Sequence, residues 1–209
     1  MLMERLKYYY DFNEPIFTRE IFQVMSEYSR QRVYQMISDA EEKGLLVRYD
    51  IGIYYIPLIT EFGQSVPSIN NVIDKKYIKN KDETFGIYGK DIIALNFMLS
   101  YQVPNVIEVI TNKESRKVRE VEIRGQKIIL RKSRLPITSS NENTYILLEL
   151  FTHIDINKYN ENKSVRDCIS KFIDEKRITK SDILNIADAF PAKTMKNIAM
   201  SGVLYEVAQ

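Results

Sequence analysis

The chain has a single cysteine, Cys168, and a single histidine, His153. One cysteine excludes an intramolecular disulfide and any cysteine-rich zinc site, and it reads as a small core residue rather than a nucleophile. One histidine beside it leaves a single chain without the histidine-based triads or the common zinc constellations. No apolar run approaches the roughly 18 residues of a membrane span. The charged start Met1-Leu2-Met3-Glu4-Arg5 lacks the apolar core of a secretory signal, so a cytoplasmic protein with no membrane partner is expected. The run Gly86-Ile87-Tyr88-Gly89-Lys90 is too short for a phosphate loop, and Asp91 stands where a Ser or Thr should hold the metal. With no catalytic residue, metal or cofactor assigned, an enzyme is not expected.

What is present suffices for a folded protein. The chain has 209 residues, of which 44% are hydrophobic, enough for one sizeable core or two small ones. Two domains are expected. The clearest signal lies in residues 18–56. Thr18 is read as the N-cap of a first helix over 18–25, with Ile21, Phe22 and Met25 inward. Ser29 caps a second helix, in which Val33, Met36, Ile37 and Ala40 repeat at helical spacing and form one apolar stripe. Gly44 ends that helix, and two short strand-like runs flank Asp50-Ile51-Gly52, where Gly52 supplies a positive φ for a tight hairpin. Two helices and a hairpin in that order predict a winged helix-turn-helix.

Removing the buried stripe leaves Arg30, Gln31, Arg32, Tyr34 and Gln35 outward early in the second helix, and Asp39, Glu41 and Glu42 outward late. A helix that enters the major groove by its N-terminus needs donors at that end and tolerates carboxylates where it has left the groove. The order also opposes the helix dipole, so an outside ligand explains it better than folding does. The expected DNA-binding residues are Thr18, Arg19, Ser29, Arg30, Gln31, Arg32, Tyr34, Gln35, Arg48 and Tyr49. Against this, residues 1–60 hold seven Lys and Arg and nine Asp and Glu. Phosphate contacts must therefore come from a small patch, and from dimerisation or a second domain.

The rest of the chain is organised around a change of period. Residues 1–10 read as a short helix whose Tyr8-Tyr9-Tyr10 cluster is expected in the core. Residues 66–84 are polar and charged and read as a linker, with a short helical piece around 72–78. Order resumes at 86–89 and a helix over 90–99. Strands follow over 106–111, 118–123 and 127–130, with Arg124-Gly125-Gln126 as a hairpin turn. From 142 onward the period is helical, with helices over 145–151, 165–174, 180–190 and 192–201, caps at Ser164, Thr179 and Ser181, and a break at Pro191. Lys113, Arg116, Lys117, Arg119, Arg124, Lys127, Arg131, Lys132 and Arg134 make 113–134 the most basic stretch, against Glu114, Glu120 and Glu122. Alternation sets Lys127, Ile129 and Arg131 on one strand face, predicting a flat cationic surface for a phosphate backbone or an acidic protein partner. The expected class is thus α+β: a winged helix-turn-helix at 1–65, a linker at 66–84, and at 85–209 a mixed α/β domain with a small antiparallel sheet and a helical C-terminal tail.

The run 102–112 (Gln-Val-Pro-Asn-Val-Ile-Glu-Val-Ile-Thr-Asn), followed by Ser115-Arg116, Arg119, Ile123-Arg124-Gly125, Ile128-Ile129-Leu130-Arg131 and Pro136-Ile137-Thr138, resembles the AbiEi family of antitoxins. With the N-terminal motif, the likeness covers most of residues 5–150. The resemblance implies a cytosolic transcriptional regulator, encoded beside a nucleotidyltransferase-like toxin in a type IV toxin-antitoxin pair of an abortive-infection system. It implies an N-terminal domain that binds double-stranded DNA at inverted repeats and represses its own operon, and a C-terminal domain that carries antitoxicity. It carries DNA reading to residues 29–35 and a cationic functional surface to Arg116, Arg119, Arg124 and Arg131. Monomer and homodimer both remain open, as does direct contact with the toxin. The alternatives are a repressor unrelated to a toxin and a module that binds an acidic partner through its basic strands.

Overall fold

The computed structural model describes residues 1–207. The chain divides into two compact units, Met1–Lys75 and Lys76–Gln209. The division falls inside the stretch read as a linker, which is itself ordered: a helix and a π-helical turn cross it.

The first unit runs α1 (Leu2–Tyr9), β1 (Ile16–Phe17), α2 (Thr18–Val24), α3 (Arg30–Glu42), β2 (Val47–Asp50) and β3 (Ile53–Tyr55). It continues through a small hairpin of β4 (Ile59–Thr60) and β5 (Gly63–Gln64) to α4 (Ile69–Ile73) and a π-helix at Asp74–Ile78. Strands β1, β3 and β2 form an antiparallel sheet in that order. The stripe on α3 packs as its spacing requires: Val33, Met36, Ile37 and Ala40 are buried with Ile21 and Met25 of α2 and Leu2 and Leu6 of α1. Each fully buried aliphatic side chain contributes about 1.5–3 kcal/mol, so this seam accounts for the unit's cohesion. Phe22 is only partly buried and meets Tyr34 edge-on at 5.2 Å.

Two expectations are corrected here, and one strand had no counterpart among them. Thr18 is the first helical residue rather than the cap; Phe17 is the cap, with its amide donating to the Glu20 carboxylate at 2.7 Å. The Thr18 hydroxyl is used differently, donating to the Gly52 carbonyl at 3.2 Å and so tying α2 to the β2–β3 turn. Tyr8 and Tyr9 are exposed, at 82% and 54%, and of the three tyrosines only Tyr10 packs against the core. Burial and the nearby Glu20 and Glu14 carboxylates push the Tyr10 hydroxyl up to about 12. Strand β1 had no signal because two residues carry no period, and it exists only through its pairing with β3.

The second unit contains β6 (Gly86–Tyr88), α5 (Lys90–Asn96), β7 (Ile107–Thr111), β8 (Val118–Ile123) and β9 (Gln126–Lys132). Six helices follow: α6 (Glu142–His153), α7 (Ile156–Glu161), α8 (Lys163–Lys176), α9 (Lys180–Ala187), α10 (Ala192–Ser201) and α11 (Val203–Glu206). The expected hairpin is present. Ile123 pairs with Gln126, and Arg124 and Gly125 between them both have positive φ, the backbone requirement of a two-residue turn matched to strand twist. The sheet order is β6-β7-β9-β8, antiparallel at both ends but parallel between β7 and β9. The expected antiparallel sheet is therefore mixed, because β9 inserts between β7 and β8 after the hairpin. Helix α6 is buried nearly all round, with Tyr145, Leu147, Leu148, Leu150 and Phe151 in one core with Val165, Ile169 and Ile183. Asn162, not Ser164, caps α8, whereas Thr179 caps α9 in a reciprocal pair with Asp182. Helix α7 escaped notice because its only buried residue is Tyr159. Gly89 explains the glycines of 86–89: a β-carbon there would lie 2.5 Å from Glu108 Cγ, so the strand end needs a bare backbone rather than a phosphate cradle. No helix of the described residues is long and apolar enough to cross a membrane.

Candidate nucleic-acid interface

Helix α3 is held from behind and open in front. Ser29 Oγ accepts from the Arg32 amide at 3.3 Å, which fixes the helix start, and the buried stripe fixes its rotation. Ser29, Arg30, Gln31, Arg32, Tyr34 and Gln35 are then all exposed. Arg30 lies over the Phe22 ring at 5.9 Å and Arg19 over the Phe17 ring at 5.6 Å, so aromatic faces support both guanidinium groups. Among the described residues no carboxylate pairs with Arg19, Arg30, Arg32 or Arg48. Gln35 differs, since its amide donates to Asp39 one turn later at 2.8 Å, a bond it must release before it can meet a base edge.

The β2–β3 hairpin carries two further exposed side chains. Arg48 is exposed on β2 opposite Tyr54, and Ile51 projects from the turn at 85% exposure. Tyr49 departs from expectation: it is only 8% exposed, with its ring edge against Tyr55. Tyr49 sits at an irregularity in the β2–β3 register, between Arg48 and Asp50, and is turned inward there while Arg48 stays exposed. The turn itself depends on Gly52, whose φ is +71° and whose missing β-carbon would lie 3.3 Å from the Thr18 hydroxyl oxygen. Behind the sheet, Lys75 reaches Glu14 at 2.8 Å, Glu20 at 3.5 Å and the Pro15 carbonyl at 2.6 Å, so this cation is consumed within the unit.

The basic stretch of the second unit is arranged otherwise. Pair register places Glu108 beside Ile129, Ile110 beside Arg131, and Glu120 and Glu122 opposite Ile129 and Lys127. Residues paired in register share a face, so the surface expected to be flatly cationic carries Glu108, Glu120 and Glu122 among Lys127 and Arg131. That expectation fails for lack of a register, which the sequence of one strand does not contain. The cations gather instead at one end of the sheet, where β7 and β9 end and β8 begins: Lys113, Arg116, Lys117, Arg119, Arg131, Lys132 and Arg134. Arg124 and Lys127 lie at the opposite end.

Buried carboxylates organise that cluster. Arg119 meets Glu114 at 2.6 Å, Arg131 meets Glu108 at 2.9 Å, and Arg134 lies 3.7 Å from Glu149. Backbone amides of Arg116 and Ser115 and the Arg119 charge hold the Glu114 carboxyl below its ordinary range, against the opposing effect of burial. For Glu149, burial drives the carboxyl upward, but the His153 hydrogen bond at 3.0 Å and the Arg134 charge outweigh it and leave it lowered. The Arg131 guanidinium is raised by its bond to Glu108. Sequence reasoning named the arginines and missed Glu108, Glu149 and Tyr145 beneath them. Nothing in a linear pattern marks a mid-helix glutamate as the partner of a strand-end arginine. Among the described residues no cluster of His, Cys, Asp or Glu has the makings of a metal site. No family model matches the chain, and no curated protein matches it.

Proposed function

We propose that this chain is a DNA-binding transcriptional autorepressor whose first unit acts as a winged helix-turn-helix. The observation that carries the reading is the start of α3, where Arg30, Gln31 and Arg32 face solvent without carboxylate partners while the opposite face is pinned into a core. In this reading α3 enters the major groove by its N-terminus, with Arg30 and Arg32 at guanine or phosphate and Gln31 and Gln35 at adenine. Ser29 and Thr18 sit at the helix starts, Arg19 reaches the backbone, and Arg48 with the β2–β3 turn flanks the groove. Because the unit is slightly acidic overall, an inverted-repeat operator bound by two copies, or phosphate contacts from the second unit, supplies the remaining affinity.

The test is protection of an inverted repeat upstream of the chain's own operon. Arg32→Ala is expected to weaken binding by about 1–3 kcal/mol and to lower the salt slope by about one unit. Asp39→Ala, which releases Gln35, is expected to bind at least as tightly as wild type. Protection by Arg32→Ala equal to that of wild type overturns the assignment of α3.

The resemblance to AbiEi antitoxins supports a further role, neutralisation of a nucleotidyltransferase-like toxin encoded alongside, by a second unit with Arg116, Arg119, Arg124 and Arg131 in its functional surface. Growth rescue on co-expression with the adjacent gene tests it. The gathering of exposed Lys113, Arg116, Lys117 and Lys132 at one sheet end favours a second reading, in which that end docks an acidic protein. Co-purification of the two gene products distinguishes direct docking from indirect silencing.

A further inference from the structure

A small cleft opens at the cationic end of the second unit's sheet. Its volume is about 130 Å³, and its wall includes Lys117 from the approach to β8, Arg131 and Lys132 from the end of β9, and Arg134 just beyond. Four cations converging on so small a space would repel one another unless the fold compensated them. It does so selectively. Glu108, 9% exposed, holds Arg131 at 2.9 Å, and Glu149, 1% exposed, lies 3.7 Å from Arg134. The main chain at Arg134 is also fixed, its amide donating to the Tyr145 hydroxyl at 2.9 Å. With each arginine matched by one carboxylate, the charges of Lys117 and Lys132 are left over, and neither has a carboxylate partner among the described residues. Ile110, Tyr145 and the Glu149 carboxylate line the rest of the cleft, so its wall holds four cations and one of the two carboxylates that offset them.

From this arrangement we infer that the cleft binds the terminal phosphate of a small phosphorylated ligand, a mononucleotide-type phosphomonoester. The charge match selects the group: two uncompensated lysines suit a dianion, as a phosphomonoester is at neutral pH, better than the monoanionic diester of a nucleic acid backbone. The size agrees, since the volume equals about four waters at roughly 30 Å³ each, room for a phosphoryl group with the rest of the ligand outside. Geometry agrees as well. An arginine anchored by one edge of its guanidinium keeps its remaining N–H groups in a fixed fork, which suits oxyanion recognition. Glu149 Oε2, which has no hydrogen-bond partner, lies 3.7 Å from Arg134 Nε in the wall of the cleft and offsets that one charge, leaving the lysines uncompensated. The inference is independent of DNA reading by α3.

Isothermal titration of the full chain with inorganic phosphate, AMP and adenosine tests it. Phosphate and AMP are expected to bind and adenosine is not. Lys117→Ala and Lys132→Ala are each expected to weaken AMP at least tenfold with an unchanged melting temperature, and Lys127→Ala, on the same strand but outside the cleft, should bind as wild type. Equal binding of AMP and adenosine, or equal loss from all three lysine variants, overturns the site. A 5′-phosphorylated oligonucleotide that binds where AMP does not would overturn the small-ligand assignment in favour of a strand end. Operator protection measured on Lys132→Ala and Arg32→Ala keeps the two readings apart: it should be unchanged in the first and weakened in the second.

Discussion

The two units use arginine in opposite ways. On α3 and the β2–β3 hairpin, Arg19, Arg30, Arg32 and Arg48 have no carboxylate partner among the described residues and rest on aromatic rings or in solvent. At the end of the second unit's sheet, Arg119, Arg131 and Arg134 are each set against a glutamate of little exposure. The first arrangement costs folding little and leaves the charge for a partner outside the chain. The second draws the charge into the fold, and what remains for a ligand is the lysines and the unused edges of the guanidinium groups. The richer basic sequence thus yields less free charge than its composition promises, and the slightly acidic unit offers more than its composition suggests.

That contrast breaks most readily at Glu149. Replacing it with leucine leaves Arg134 and His153 without their buried partner and is expected to cost about 1–3 kcal/mol in urea denaturation, the guanidinium being partly solvated. A loss smaller than that of a surface mutation would mean the pair is ornamental. The same residue gives the second unit an acid limit. Because Glu149 titrates lower in the folded protein than in the unfolded chain, its contribution is complete above the unfolded value of about 4.3 and is lost as pH falls through the folded value. Stability measured against pH should decline below about 4.3, less steeply in Glu149→Gln. A smaller effect is expected from Ser29→Ala, about 1 kcal/mol through the lost cap on α3. The smallest is Arg32→Ala, which should leave stability within about 0.5 kcal/mol while impairing DNA binding. If Arg32→Ala destabilised the fold as much as Glu149→Leu does, the proposed division between free and committed arginines would fall.

Much of the first unit was legible because its signals are local. Ser29 as a cap, the stripe from Val33 to Ala40, and Gly52 at a tight turn each follow from residues a few positions apart. The exposure of residues 29–32, 34 and 35 follows from the stripe alone. Where reading failed, the missing information was non-local or a matter of one position. Thr18 yielded the cap to Phe17 because its hydroxyl found a carbonyl 34 residues away. Tyr49 turned inward at an irregularity in the β2–β3 register, which depends on the partner strand. Tyr8 and Tyr9, taken for core on composition, stand outside because α1 buries Leu2 and Leu6.

By itself the sequence determined the longer helices, the hairpin at Arg124-Gly125, and which face of α3 is free, since helical period and turn chemistry act over a few residues; β1 and α7 carried no such signal. Tertiary structure alone decided that β9 lies parallel to β7, that Glu108 and Glu149 stand beneath Arg131 and Arg134, and that the cations meet at one end of the sheet. Those outcomes depend on strand register and on the packing of α6 against a sheet formed earlier in the chain. Such pairings are chosen by the free energy of the whole core, to which no local stretch of residues has access.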